Sequence, residues 1–221
     1  METEISYITS QLLWKQSIIE VNIEKHKVLT SGNRSPIYVN CRKLISKPSA
    51  MNFIVSAFVL LLEDQNINYD YIAGGETAGI PFASWFACST GKPMVYVRKA
   101  QAQASGRDLV EGNLIPKSQV LLVEDVITDG GSKIAFAQAI RDKGCIVDNC
   151  FVVLDRQQGG SETLENADIK VTALTDLQTA LKVGIENKTI SADVIDYINE
   201  YLDNPEAWHN KHNYPYYPKG S

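Results

Sequence analysis

The sequence has little that would suit a membrane, an oxidising compartment or a nucleic-acid partner. Its longest apolar run, residues 53–62, is too short to span a bilayer, and the N-terminus METEISY lacks the features of a signal peptide. The four cysteines show neither C-x-x-C spacing nor a nearby histidine, so we expect reduced thiols in a cytoplasmic protein. The net charge of −5 argues against a nucleic-acid partner, which requires a basic surface.

The order of apolar patterns predicts an α/β fold with a mostly parallel sheet. The 221 residues suffice for one sizeable core, and no linker or internal repeat requires a second domain. Strand patterns occur at residues 37–39, 69–73, 94–97, 120–123, 146–154 and 169–173. Helical patterns occur at residues 5–20, 48–62, 81–87, 133–143, 176–183 and 192–202. The tail at residues 204–221 is predicted to be irregular, with His209 and His212 exposed to solvent.

The segment VLLVEDVITDGGS, residues 120–132, joins a strand pattern to a helical pattern through a Gly-rich turn. Backbone N–H groups and the helix dipole converge on an anion at such a turn, which makes it a phosphate cradle. Glu124 and Asp125 precede the turn, where they can accept hydrogen bonds from vicinal hydroxyls or help hold a divalent cation. An ordinary strand–helix connection is the alternative, but two adjacent acids followed by Thr, Gly, Gly and Ser favour a site.

Three further polar clusters follow predicted strands. They are GGETAG at residues 74–79, the pair Arg98-Lys99, and the pair Asp155-Arg156. Ligands of parallel α/β sheets bind beyond the carboxyl ends of the strands, so we expect these clusters to share one site with Glu124 and Asp125. Residues 100–113, AQAQASGRDLVEGN, have no apolar face to bury, and a loop of this length indicates a mobile, functional segment.

These motifs together resemble the type I phosphoribosyltransferases, and within them the orotate phosphoribosyltransferase family. The resemblance runs from about residue 28 to residue 160. SGNRSPIYVNCRKLISKP resembles the family's substrate segment, GGETAGIPFA its loop after the second strand, and VEDVITDGGS its phosphoribosyl motif. VRK followed by LVEGNLIP resembles the mobile catalytic loop, and LDRQQGG resembles the orotate-binding strand end.

The resemblance implies transfer of ribose 5-phosphate from phosphoribosyl pyrophosphate to N1 of orotate, in pyrimidine biosynthesis. The products would be orotidine 5′-monophosphate and pyrophosphate. It also implies the type I phosphoribosyltransferase fold, a twisted, mostly parallel sheet flanked by helices. A small hood from about residues 1–40 would complete a single domain over residues 1–221. The family further implies Mg²⁺, held through the substrate with Asp125 as candidate ligand, and a homodimer with shared active sites.

The resemblance also implies roles for individual residues. The ribose C1′ becomes cation-like as pyrophosphate departs, so the protein must fix the sugar, neutralise the leaving group and exclude water. Expected to bind phosphoribosyl pyrophosphate are Thr77, Arg98, Lys99, Glu124, Asp125, Thr128, Asp129, Gly130, Gly131 and Ser132. Of these, Arg98, Lys99, Glu124 and Asp125 are the candidate catalytic residues. Expected to bind orotate are Tyr38, Val39, Thr128 and Arg156.

The predicted catalytic loop departs from the family pattern. Many members carry a further Lys and a His after the Arg-Lys pair, whereas this chain has AQAQASG. Arg107 is the candidate for the missing cation. The departure keeps two alternatives open, a phosphoribosyltransferase for another base and a regulator that binds phosphoribosyl pyrophosphate without catalysis. The acidic composition counts against a regulator that binds nucleic acid.

Overall fold

The computed structural model describes residues 1–29, 31–99 and 108–218. The helices are α1 (Glu2–Lys15), α2 (Pro48–Asp64), α3 (Gly79–Thr90), α4 (Gly131–Arg141), α5 (Gly160–Glu165), α6 (Leu177–Glu186), α7 (Ala192–Asp203) and α8 (Pro205–Lys211), with a 3-10 helix at Cys41–Ser46. The strands are β1 (Ile19–Val21), β2 (Lys27–Val28), β3 (Arg34–Ser35), β4 (Ile37–Val39), β5 (Tyr71–Gly75), β6 (Met94–Val97), β7 (Val110–Glu111), β8 (Gln119–Ile127), β9 (Ile146–Asp155) and β10 (Lys170–Asp176).

The main sheet has six strands in the order β10-β9-β8-β5-β6-β7. Neighbouring strands are parallel except for the edge pair β6–β7, which is antiparallel. β8 lies near the centre, and its residues Val120 to Val123 are all buried because both faces of a parallel sheet are covered. The predicted α/β fold with a mostly parallel sheet is confirmed.

The chain divides into two compact units. One comprises Met1–Thr9 and Cys41–Leu177, and it contains the six-stranded sheet. The other comprises Ser10–Asn40 and the chain from Gln178 onward, and it contains the antiparallel pairs β1–β4 and β2–β3. Most of the segment predicted to form a hood lies in the second unit. That unit also takes in the C-terminal helices, which no sequence signal linked to residues 1–40.

The first helix is shorter at its C-terminus than its apolar pattern predicts. α1 ends at Lys15, Ser17 adopts a left-handed backbone with φ of 53°, and β1 begins at Ile19. Ile19 is buried, so its apolar side chain belongs to a strand rather than to the helical pattern. Among the described residues, no helix is both long and apolar enough to cross a membrane.

The tail predicted to be irregular contains α8. Asn204 caps this helix, since its side-chain oxygen accepts a hydrogen bond from Ala207 N at 3.0 Å, and Pro205 occupies the first turn. Both are standard helix-start signals. Trp208 is 1% exposed and anchors the helix. The prediction of an irregular tail was wrong because it relied on the tail's composition and overlooked the helix start at Asn204 and Pro205.

His209 is completely buried, which corrects the prediction that it is exposed. Its Nε2 accepts a hydrogen bond from Arg34 N at 3.0 Å, and its Nδ1 lies 2.6 Å from Pro205 O. These two partners fix the tautomer with the proton on Nδ1, because a carbonyl can only accept. His209 therefore joins α8 to β3 within the second unit. His212 is half-buried.

His26, which the sequence left unassigned, lies in the same unit against Trp208. Its Nε2 lies 2.8 Å from Tyr197 Oη and its Nδ1 lies 3.1 Å from Tyr214 Oη. Burial, followed by the charge of His212, lowers the pKa of His26. The ring therefore acts as a neutral link between the N-terminal segment and the C-terminal helices of this unit.

Candidate active site

Glu124 and Asp125 lie inside β8, not after it, because the strand continues to Ile127. β8 pairs with β9 through this region, with Glu124 opposite Val152 and Ile127 opposite Asp155. Successive side chains of a strand point to opposite faces of the sheet. The two acids therefore have different environments, whereas the sequence treated them as one pair.

Glu124 is 3% exposed and forms a buried ion pair. Its Oε1 accepts a hydrogen bond from Gly75 N at 2.8 Å, and its Oε2 lies 3.1 Å from Lys133 Nζ. Burial raises the pKa of Glu124 to about 6, although Lys133 opposes the rise. Burial by itself would lower the pKa of Lys133, but Glu124 and Asp125 raise it above its usual value. Both side chains are therefore charged at neutral pH.

Two glycines make room for the Glu124 carboxylate. A Cβ atom at Gly79 would overlap Glu124 Oε1. A Cβ atom at Gly75 would lie 2.6 Å from the same oxygen and would overlap the ring of Phe136. The glycines of the GGETAG segment are therefore needed for packing against Glu124, in addition to the predicted role of this loop in binding. Glu124, Lys133, Gly75 and Gly79 thus form a closely packed, buried cluster inside the sheet unit.

Gly79→Ala is expected to destabilise the protein by about 1–3 kcal/mol, because the added methyl group displaces a buried, paired carboxylate. Urea unfolding followed by circular dichroism measures this change. Gly131→Ala is the matched control, since a Cβ atom there would find its nearest neighbour, Asp129 Oδ1, at 3.7 Å. Equal stability of the two variants would show that Glu124 can move aside without cost.

Asp125 is half-buried and has neighbours different from those of Glu124. Burial raises its pKa, while Lys133 and Arg42 act in the opposite direction. Cys41, beside Arg42 in the 3-10 helix, is completely buried. Burial and the charge of Asp125 raise the pKa of the Cys41 thiol well above its usual value, so this thiol stays protonated. Asp125 is thus the more accessible acid of the motif.

The turn from Thr128 to Ser132 connects β8 to α4 as the phosphate-cradle prediction requires. Gly130 has φ of +80°, and a Cβ atom there would lie 2.6 Å from Leu164 Cδ1. α4 begins at Gly131, two residues before the predicted start, and Asp129 Oδ1 accepts a hydrogen bond from Gly131 N at 3.1 Å. The first-turn N–H groups of a helix have no partner within the helix, so they can bind an anion.

Arg156 follows β9 and lies beside this turn. Its backbone N–H donates a hydrogen bond to Ile127 O at 3.0 Å, one residue before Thr128. The Asp155 carboxylate accepts hydrogen bonds from Gln157 N at 2.7 Å and from Ser161 Oγ at 2.6 Å. Arg156 is half-buried. The structure therefore brings together the ends of β8 and β9, as the sequence predicted.

Arg98 and Lys99 lie at the end of β6, next to the loop that follows β5. Lys99 N donates a hydrogen bond to Glu76 Oε2 at 2.9 Å, and Thr77 beside it is exposed. Arg98 Nε lies 2.8 Å from Glu111 Oε1, a partner that the sequence did not indicate. The hydrogen bond to Glu111 is the main cause that raises the pKa of the Arg98 guanidinium above its usual value. The Arg98 guanidinium therefore stays charged.

Tyr38, Val39 and Arg107 complete the set of predicted residues. Tyr38 and Val39 are half-buried on β4 in the second unit, and Lys27 Nζ lies 4.9 Å from the centre of the Tyr38 ring. Their contact with a pyrimidine stays a prediction. Arg107 and most of the predicted catalytic loop, residues 100–107, lie outside the described residues.

Lys133 is the site residue that sequence reasoning missed. It is 8% exposed, and it shares the buried face of α4 with Phe136 and Ile140, three and seven residues further on. A lysine at an apolar position of a helical pattern is a signal, because an amine is buried only when it has a partner. That partner, Glu124, could not be identified from spacing alone.

On β8, Asp125 offers a divalent cation a half-buried carboxylate, whereas Glu124 is buried in its ion pair with Lys133. Within residues 1–29, 31–99 and 108–218, no group of three or more His, Cys, Asp or Glu side chains is arranged to hold a metal ion. This donor set does not suit an all-protein metal cage. It does suit Mg²⁺, which keeps several waters and takes one or two carboxylates together with substrate phosphates.

No family model matches the chain. An orotate phosphoribosyltransferase of Rhizobium johnstonii is 36% identical over 207 residues, which cover 91% of this chain and 89% of the relative. The crystal structure of orotate phosphoribosyltransferase from Aeropyrum pernix has a TM-score of 0.67 and 26% identity, covering 79% of this chain and 97% of that one. The Mycobacterium tuberculosis orotate phosphoribosyltransferase in complex with 5-phospho-α-D-ribosyl 1-diphosphate has a TM-score of 0.64 and 24% identity, covering 80% and 98%.

Proposed function

Because this chain belongs to the orotate phosphoribosyltransferase family, we propose that it transfers ribose 5-phosphate from phosphoribosyl pyrophosphate to N1 of orotate. The products are orotidine 5′-monophosphate and pyrophosphate, and the reaction serves pyrimidine biosynthesis. The observation that carries this function is the 36% identity with a relative of that name over 91% of the chain. The cradle between β8 and α4, with an acid before it, supports the proposal independently.

The sugar end of the substrate lies at β8 and the turn after it. The Ser132 N–H holds the 5′-phosphate at the start of α4, joined by the Gly131 N–H once it exchanges Asp129 Oδ1 for a phosphate oxygen. Thr128, Asp129 and Gly130 shape the turn. Asp125 accepts hydrogen bonds from the ribose hydroxyls, and its negative charge stabilises the cation-like C1′ as the bond to pyrophosphate breaks. Pre-formed geometry makes this stabilisation effective, since no charge has to be reoriented during the reaction.

Glu124 is also proposed to contact the ribose. Unlike Asp125, it already uses both carboxylate oxygens in buried contacts. A carboxylate has about four acceptor positions, and Gly75 N and Lys133 Nζ take one on each oxygen. At 3% exposure, the Glu124 side chain leaves little surface that a substrate could reach. Any direct ribose contact by Glu124 therefore requires a local shift of its side chain.

The pyrophosphate end lies near the loop after β5 and the end of β6. Thr77, Arg98 and Lys99 bind the leaving group there, and their charges offset its several negative charges as it departs. Arg98 pairs with Glu111 at 2.8 Å, so pyrophosphate would compete with that carboxylate for the guanidinium. Arg156 pairs with the orotate carboxylate, while Tyr38, Val39 and Thr128 contact the pyrimidine.

Mg²⁺ would be held by Asp125 together with substrate oxygens, and it would screen the negative charge of the pyrophosphate. The enzyme is further proposed to be a cytoplasmic homodimer with shared active sites. Nothing in the comparisons supports the two alternatives, a phosphoribosyltransferase for another base and a non-catalytic regulator. The name of the relatives and the position of Arg156 both favour orotate over a purine.

A steady-state assay tests the proposed function. Purified protein with orotate, phosphoribosyl pyrophosphate and Mg²⁺ should remove orotate absorbance and release one pyrophosphate for each orotate consumed. Replacing orotate by adenine should give no pyrophosphate. Tight binding of phosphoribosyl pyrophosphate without any loss of orotate would instead identify a regulator, and turnover with adenine would identify another base as substrate.

Arg107→Ala should lower turnover by at least about tenfold, equivalent to ~1.4 kcal/mol in the barrier. The reason is that Arg98, Lys99 and Arg107 are the only cations between Val97 and Pro116 in the sequence, and the family's additional Lys and His are absent. Arg107→Lys should retain more activity than Arg107→Ala. Full activity of the alanine variant would indicate that Arg98, Lys99 and the metal neutralise the pyrophosphate without Arg107.

A further inference from the structure

Glu124 connects the two Gly-rich loops of the sheet unit. Its Oε1 binds Gly75 N at 2.8 Å, and Gly75 is the last residue of β5, directly before Glu76 and Thr77. Its Oε2 binds Lys133 Nζ at 3.1 Å, and Lys133 lies in the first turn of α4, directly after Ser132. One carboxylate therefore links the start of the loop after β5 to the end of the turn before α4, through contacts that are buried from water.

This link is rigid because its members have little freedom to move. Glu124 and Lys133 are 3% and 8% exposed, and Gly75 and Gly79 approach the carboxylate so closely that an added Cβ atom at either would crowd Glu124 Oε1. The neighbouring titratable groups are Asp125 on β8 and Cys150 on β9, and the buried Cys150 thiol stays protonated because burial raises its pKa. Lys133 is thus the cation that holds Glu124 in place.

We propose that Lys133 is a positioning residue which, through Glu124 and Gly75, fixes the distance between the two phosphate-binding loops. The inference rests on the proposed function, in which the turn before α4 holds the 5′-phosphate and the loop after β5 holds pyrophosphate. Phosphoribosyl pyrophosphate carries phosphates at both ends, so it engages both loops at once. When the distance between the loops is fixed, a ligand bound at one loop holds its other phosphate end at a high effective concentration next to the second loop. Lys133 therefore selects ligands with two phosphate ends.

Three ligands distinguish an effect of Lys133 on the distance between the two loops from an effect on one loop alone. Ribose 5-phosphate engages the turn before α4, inorganic pyrophosphate engages the loop after β5, and phosphoribosyl pyrophosphate engages both. Isothermal titration calorimetry with Mg²⁺ gives the Kd of each ligand for the full-length protein and its variants. Lys133→Met removes the charge and retains the length of the side chain, whereas Lys133→Arg keeps the charge.

Lys133→Met should weaken binding of phosphoribosyl pyrophosphate at least about tenfold, and binding of each single-loop ligand no more than about twofold. Lys133→Arg should recover most of the lost affinity. Lys211→Met is the control, because Lys211 pairs with Glu200 at 2.6 Å on an exposed surface of the second unit. It should leave all three affinities unchanged.

The role is wrong if the loss for phosphoribosyl pyrophosphate equals the product of the two single-loop losses, or if all three affinities are retained. Lys133→Gln, which can still donate a hydrogen bond to Glu124, replaces Lys133→Met if that variant does not fold. The same two criteria then apply to it. Failure of the proposed function has a different signature, since it is the unmodified protein that would then lack turnover with orotate.

Discussion

Arg156→Ala is expected to lose about 2–5 kcal/mol in the binding of orotate, while the affinity for phosphoribosyl pyrophosphate stays nearly constant. Arg156 follows the carboxyl end of β9, and its backbone is fixed by the hydrogen bond from Arg156 N to Ile127 O at 3.0 Å. A planar guanidinium can bind a carboxylate through two parallel hydrogen bonds. Removing it leaves the orotate anion without a partner in a partly dehydrated pocket, which costs more than the loss of an exposed ion pair.

Separate KM values for the two substrates, measured with the other substrate saturating, test this prediction. Arg156→Lys serves as the matched variant, because it keeps the charge but lacks the planar fork. It should recover part of the orotate affinity. An equal rise of both KM values in Arg156→Ala would indicate that Arg156 supports the loop after β9 rather than the base.

Asp125→Asn is expected to lower kcat by about 100-fold, equivalent to ~2.7 kcal/mol, with a smaller change in KM for phosphoribosyl pyrophosphate. The amide keeps the shape of the side chain but removes the negative charge that stabilises the cation-like C1′. Because Asp125 is half-buried, the charge acts with less screening than it would in bulk water. Single-turnover measurements isolate this chemical step from product release.

Glu124→Gln provides the contrast, because the same chemical change should mainly affect stability. It leaves the Lys133 ammonium buried without its ion-pair partner, which costs about 3–5 kcal/mol of folding free energy. Turnover should also fall, since Glu124 is proposed to share the ribose contact. Asp125→Asn should keep a melting temperature close to that of the unmodified protein. Similar melting temperatures and wild-type turnover in both variants would refute the roles assigned to the two acids.

Local patterns in the sequence predicted the elements on which the site is built. The strands at residues 37–39 and 94–97 have the predicted bounds, and β9 differs by one residue. The apolar run of β9 is unambiguous because helices cover both faces of a parallel sheet, whereas β4 belongs to a separate antiparallel pair with β1. The Gly-rich turn before α4 was recognisable for a similar reason, since Gly130 has to adopt a positive φ that other residues avoid.

The sequence by itself determined the fold class, the Gly-rich turn between β8 and α4, and the family, because apolar periods, turn glycines and motif spacing are properties of neighbouring residues. Only the tertiary structure decided which of the two adjacent acids is buried and which is accessible. Glu124 meets a backbone N–H 49 residues away at Gly75, and it meets Lys133 across the sheet–helix interface. Likewise, the C-terminal helices join Ser10–Asn40 in one unit through buried side chains such as His209. Contacts between distant segments leave no period in the sequence, so the balance of burial and charge at these positions exists only once the chain has folded.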